Sequence, residues 1–198
     1  MGVLFLIMCL NIAISIWNAY ATGKAWVEAK YVGGWPRFMT WMGAIMAASG
    51  LSWCILILLI LGAVSGGKLT PYWGEVGMDL GYILIVPGIL FSGLMITIDS
   101  WARAFRTRGI LNYGVAGYNS FAQVYNTYHA IRGVGPAFAK VFEAFVGKGK
   151  KNGSALVLIL VVFALAAGIL ITAAIIHHVA AGAPLPSYEE AQHRLQPA

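Results

Sequence analysis

Long uncharged, mostly apolar stretches alternate along the chain with segments that carry its charges and many of its aromatic rings. The clearest stretch is residues 80–98, nineteen positions without a charged side chain. It closes on Asp99-Ser100-Trp101-Ala102-Arg103-Ala104-Phe105-Arg106-Thr107-Arg108. A helix rises about 1.5 Å per residue, so such a run covers a hydrocarbon core of about 30 Å. Comparable runs occur at about 3–21, 38–64 and 155–176. The pattern predicts an all-α integral membrane protein, with four transmembrane helices in one membrane domain over residues 1–198.

Each run has its own texture. In the first, Asn11 is a mid-span amide, expected to hydrogen-bond across to another helix. Ala19-Tyr20-Ala21 resembles a signal-peptide cleavage site, but no basic n-region precedes it, so a retained span is expected. The second run is small and soft at Gly43, Ala44, Ala47 and Ala48, then bulky from Cys54 to Leu61. The small half is expected to face protein and the bulky half mostly lipid. Pro87-Gly88 predicts a kink in the third run, where proline removes a backbone hydrogen bond. The fourth carries Ala164, Ala167 and Gly168 as a small-residue face and ends at His177-His178. Adjacent helical residues diverge by about 100°, so the two histidines suit interfacial caps better than one metal site.

The segments between the runs predict shorter elements. Residues 22–37 place Lys24, Lys30 and Arg37 among Trp26, Tyr31 and Trp35, the pattern of an interfacial segment. Gly33-Gly34-Trp35-Pro36 signals a turn, with Pro36 suited to a first helical turn. Residues 65–79 read as a short loop. Residues 102–154 are too long for a plain loop. Phe121, Val124, Tyr125, Tyr128 and Ile131 recur at helical spacing, as do Phe138, Val141, Phe142 and Phe145, and Gly133-Val134-Gly135-Pro136 separates the two sets. This predicts two short amphipathic helices on the cytoplasmic side. The tail, residues 183–198, is polar and expected to be extended.

Composition agrees with a lipid-embedded chain. It is 60% hydrophobic and 10% charged, with mean hydropathy +0.77, whereas a soluble domain carries about 25% charged residues. The net charge of +6 is unevenly spread. Eleven of the thirteen Lys and Arg fall in residues 22–37 and 102–154. If both segments face the cytoplasm, as the positive-inside rule requires, both termini lie on the non-cytoplasmic side.

Few residues suggest chemistry. Asp99 is the one acid at a span edge on the basic side, and an ionisable group there is a candidate proton or cation site. It also stands one turn before Arg103, where an i, i+4 salt bridge forms readily. Arg103, Arg106, Arg108, Lys148, Lys150 and Lys151 serve topology and offer contacts for anionic lipid headgroups. Tyr113, Tyr118, Tyr125 and Tyr128 are candidate partner contacts, because Tyr is enriched at interaction surfaces. The tail segment Leu185-Pro186-Ser187-Tyr188 resembles the Pro-x-Tyr ligands of WW-type domains, without the first of the two prolines those ligands carry. Cys9 and Cys54 sit in apolar runs as small packing groups, not in a disulfide framework or zinc spacing.

No nucleophilic triad, metalloprotease motif or phosphate loop occurs in the sequence. No cofactor, metal or nucleic-acid partner is expected. The expected role is non-catalytic: a structural or accessory membrane subunit that assembles with itself or within a larger membrane complex, with lipids as its surroundings. An ion channel or small-solute transporter is the alternative. It would rest on Asn11, Ser92, Thr97, Asp99 and Thr172 as a polar path.

Overall fold

The computed structural model describes residues 2–147, 153–183, 187, 189 and 190. Five helices occur among the described residues: α1 (Gly2–Val32), α2 (Gly34–Ser65), α3 (Pro71–Thr107), α4 (Ile110–Val146) and α5 (Ser154–Gly182). No strand occurs among the described residues. Four helices, α1, α2, α3 and α5, are long and apolar enough to cross a membrane. This is a multi-pass membrane architecture.

Short connections force neighbouring helices to run antiparallel. One residue, Gly33, separates α1 from α2, and Gly33 and Gly34 have φ of 65° and 56°. Glycine adopts that left-handed backbone without steric cost. Thr70 caps α3, its hydroxyl accepting from the Trp73 N–H at 3.4 Å, and Pro71 opens the helix. Proline suits that position because its missing N–H has no helical partner there. Only Arg108 and Gly109 separate α3 from α4, with Arg108 left-handed at φ 50°.

Helix α2 lies at the centre, in contact with α1, α3 and α5. Its buried line includes Met42, Ala47, Leu51, Cys54, Leu56 and Ile60. Leu56 and Ile60 fill the space over Gly81 and Gly77 of α3, and Val64 fills that over Gly74. A Cβ on Gly77 would sit 2.7 Å from Ile60 Cδ1. Val157, Val161 and Ala164 of α5 close this core. A second contact joins three helices through Ala19, Ala47 and Ile176. Lipid tails are as apolar as leucine, so these contacts hold through close packing and dispersion rather than water exclusion.

Several expectations change. The bulky half of α2 does not turn mainly to lipid; Cys54, Leu56 and Ile60 are buried against neighbours. The glycine column on α3 makes room for them. Residues 22–32 continue α1, and the loop before α3 shortens to residues 66–70. Pro87 lies inside helix α3, the position at which the kink is expected. In place of two short amphipathic helices, Ile110–Val146 form one 37-residue helix with Pro136 inside it. Contacts with α3 on both sides of Pro136 explain its continuity. The His129 carbonyl accepts from Tyr82 at 2.9 Å, and Lys140 pairs with Glu75.

The helices alternate in direction. Ser15 packs at Gly50 and Thr22 at Gly43, so α1 opposes α2. Ser52 packs at Gly168 while Ile60 and Val157 meet at Gly77, so α5 also opposes α2. The start of α1 and the end of α5 therefore lie at opposite ends of the bundle. In the tail, Ser187 and Glu190 make reciprocal side-chain-to-backbone bonds of 3.1 and 3.2 Å, a capping box instead of an extended strand. The rest of the Leu185-Pro186-Ser187-Tyr188 segment lies outside the described residues.

Candidate functional site: the polar seam between α3 and α4

Polar side chains concentrate where α3 and α4 meet. Spacing on α4 sets this. Asn112, Asn119, Ser120, Gln123 and Thr127 share a half-buried face, and Ala116, Ala130 and Ala137 are buried along it. The small alanines let the backbones approach, and the polar groups then reach across.

Beginning at the α3–α4 turn, Asn112 Nδ2 donates to Thr107 Oγ1 at 2.6 Å. Next, Asn119 Nδ2 donates to Ser100 Oγ at 2.7 Å, and Trp101 Nε1 donates to Ser120 Oγ at 2.8 Å. Thr97 Oγ1 donates to the Gly93 carbonyl at 2.8 Å and lies 3.3 Å from the Asn119 carbonyl. Near the middle of α3, Gln123 Nε2 donates to the Leu90 carbonyl at 3.0 Å. Further along, Tyr82 Oη donates to the His129 carbonyl, where Gly133 leaves space for the ring. Lys140 ends the seam, paired with Glu75 and 3.9 Å from Asp79. The hydrogen bond that Lys140 donates to Glu75 raises the ammonium pKa above its usual value, more than partial burial lowers it.

Asp99 stands beside the other end. Its Oδ1 accepts from Trp35 Nε1 at 2.7 Å and its Oδ2 from Arg103 at 2.5 Å. The Asp99 carboxylate is 8% exposed and the Arg103 side chain 67%. Both carboxylate oxygens thus have donors, and the bond to Trp35 fastens the start of α2 to α3.

The remaining sequence candidates scatter. Asn11 is exposed on α1 within the single chain. Ser15 and Thr22 pack against α2. Arg106 Nε donates to the Ala102 carbonyl of its own helix at 3.1 Å, and Arg108 forms the α3–α4 turn. Lys148, Lys150 and Lys151 lie outside the described residues. Tyr113 packs edge-on against Trp101 and Phe105, at 6.2 and 6.0 Å between ring centres. Tyr118, Tyr125 and Tyr128 point outward; Tyr125 packs on His129 at 4.3 Å, and the Arg132 guanidinium lies 4.7 Å over Tyr128. Ser92 donates to the Gly88 carbonyl at 2.6 Å, whereas the buried Thr172 hydroxyl has no hydrogen-bond partner. Among the described residues, no three His, Cys, Asp or Glu side chains are grouped to hold a metal ion.

Sequence reasoning missed Trp35 as a partner of Asp99, since 64 residues separate them. It also missed Gln123 as a cross-helix donor. The glycine column did leave a signal, because Gly74, Gly77 and Gly81 recur at helical spacing. Compared with known proteins, the chain matches no family model, no curated sequence and no solved structure.

Proposed function

We propose that the chain is a non-catalytic structural or accessory membrane subunit, assembling with copies of itself or within a larger membrane complex. One observation carries this reading. Helix α4 packs chiefly on α3 and leaves a continuous outward face of Tyr118, Phe121, Val124, Tyr125, Tyr128 and Ile131, all at least half exposed. Large apolar and aromatic patches of this kind mark interaction surfaces. The seam supports the same role, because its polar groups are engaged in holding two helices together. Anionic lipid headgroups at Arg103, Arg106 and Arg108 belong to this proposal too.

The experiment is the mass of the particle extracted in mild detergent, with its co-purifying chains identified. An assembly of regular stoichiometry is expected, disrupted by Phe121→Ser/Tyr125→Ser. A monodisperse single chain in every mild detergent sinks the reading. The transporter alternative is left with the isolated Thr172 hydroxyl, and a conductance from the reconstituted protein would favour it.

A further inference from the structure

We infer that α4 is a fifth membrane crossing, its outward face lying at the depth of the bilayer's acyl chains. The seam carries the argument. Contacts pair residue 101 with 120, 90 with 123, 82 with 129, 75 with 140 and 73 with 145, so α4 follows α3 backwards over almost its whole length. A helix lying on the membrane surface would touch a crossing helix at one level only. If α3 crosses, α4 crosses beside it.

Charge placement fits that depth. Residues 109–131 contain no Asp, Glu, Lys or Arg. These 23 residues span about 34 Å as a helix, enough for a hydrocarbon core of about 30 Å. Taking the Gln123–Leu90 bond as the reference level, Asp99 lies nine residues away along α3 and Arg132 nine residues away along α4, in the opposite direction. Nine residues are about 13.5 Å, close to half the core thickness. Arg132 has a long stem that can carry its charge to the headgroups. Hydropathy alone hides this crossing because Asn112, Asn119, Gln123 and Asn126 lower the average. Three of these four donate to α3 or to its turn.

A fifth crossing alters the topology. It places the two termini on opposite sides of the membrane, replacing the same-side arrangement expected from the charge count. It also moves Lys140 away from the side of Arg103, Arg106 and Arg108. The inference does not rest on the assembly reading, because topology is a property of each chain.

The test uses the full chain with Cys9→Ala, Lys68→Cys and Glu189→Cys; Lys68 and Glu189 are exposed and Cys54 is buried. A membrane-impermeant maleimide is applied to intact cells, then a second maleimide of different mass after permeabilisation. Five crossings give one label of each kind on every doubly labelled chain, whichever way the chain inserts. Two identical labels per chain overturn the inference. As an independent measurement, a spin label at Val124→Cys in lipid vesicles is expected to be shielded from a water-soluble relaxation agent. Free collision with that agent also overturns it.

Discussion

The α2-centred core and the α3–α4 hairpin solve the same problem by different means. Around α2, helices meet through removed side chains: Gly168 admits Ser52, Gly81 admits Leu56, and Gly77 admits Ile60. Along α3–α4, they meet through added polar groups: Asn119, Ser120 and Gln123 each bond to α3. In an apolar solvent, burying another leucine gains little over lipid contact. Close approach and hydrogen bonding are the two remaining sources of specificity; the core relies mainly on the first, and the hairpin adds more of the second. The core is therefore intolerant of added volume, whereas the hairpin is sensitive to lost donors.

The sharpest way to break the core is Gly168→Ala. The added Cβ would lie 2.6 Å from the Ser52 backbone nitrogen and 2.8 Å from its Cα, and neither atom can rotate away. Overpacking of this kind costs about 1–3 kcal/mol, and backbone opposition places this site at the upper end. Reversible unfolding in mixed detergent micelles measures it. A change below about 0.5 kcal/mol would show that α2 and α5 are not so closely opposed.

At the hinge between the two regions, Asp99→Leu removes the acceptor of Trp35 and the partner of Arg103. A hydrogen bond to a charged group contributes about 1.5–3 kcal/mol, and the exposed Trp35 ring places this one at the lower end. Because Arg103 is exposed, Arg103→Ala is expected to cost about 0–1 kcal/mol. Equal losses in the two variants would contradict the dominance of the Trp35 contact. Indole fluorescence offers a second readout, with Asp99→Leu shifting the Trp35 contribution.

Within the hairpin, Gln123→Leu conserves bulk and deletes the bond to the Leu90 carbonyl. Cross-helix hydrogen bonds in membranes contribute about 0.6–2 kcal/mol. The same substitution made on the outward face, Tyr125→Leu, should leave the unfolding of the single chain nearly unchanged. Comparable losses from both would mean that the seam is not where α4 is held.

The smallest effect is expected at Lys140. Its pKa is raised in the folded state, so its contribution is fully present below the unfolded value of about 10.4 and fades as pH rises through the folded one. The Glu75 carboxylate is two-thirds exposed, which limits the pair to about 0–1 kcal/mol. Lys140→Met should cost about 0–1 kcal/mol at neutral pH and nothing well above the folded pKa, so the stability curves of the two proteins should converge as pH rises in reversible unfolding.

Much of this molecule was legible from local pattern. Uninterrupted apolar runs identified four helices of spanning length, because a chain in lipid must satisfy its backbone within helices. Pro36 and the glycine pair at 33–34 mark a helix start and a turn by backbone geometry that needs no partner. Ala164 and Gly168 announced a buried face of α5.

What the sequence could not decide depended on residues far apart in the chain. The helix 110–146 reads as two pieces because Gly133, Gly135 and Pro136 are local breakers; contacts to Tyr82 and Glu75 hold it together. The orientation of α4 likewise escapes its own pattern. Its apolar stripe resembles a core-facing or interfacial face, yet α3 offers polar partners and draws the opposite face inward. Asp99 finds its second donor on α2, 64 residues away. Local sequence determines whether a backbone can be helical and how far it reaches. Only tertiary contact determines which face is satisfied, since a hydrogen bond needs both of its partners in place.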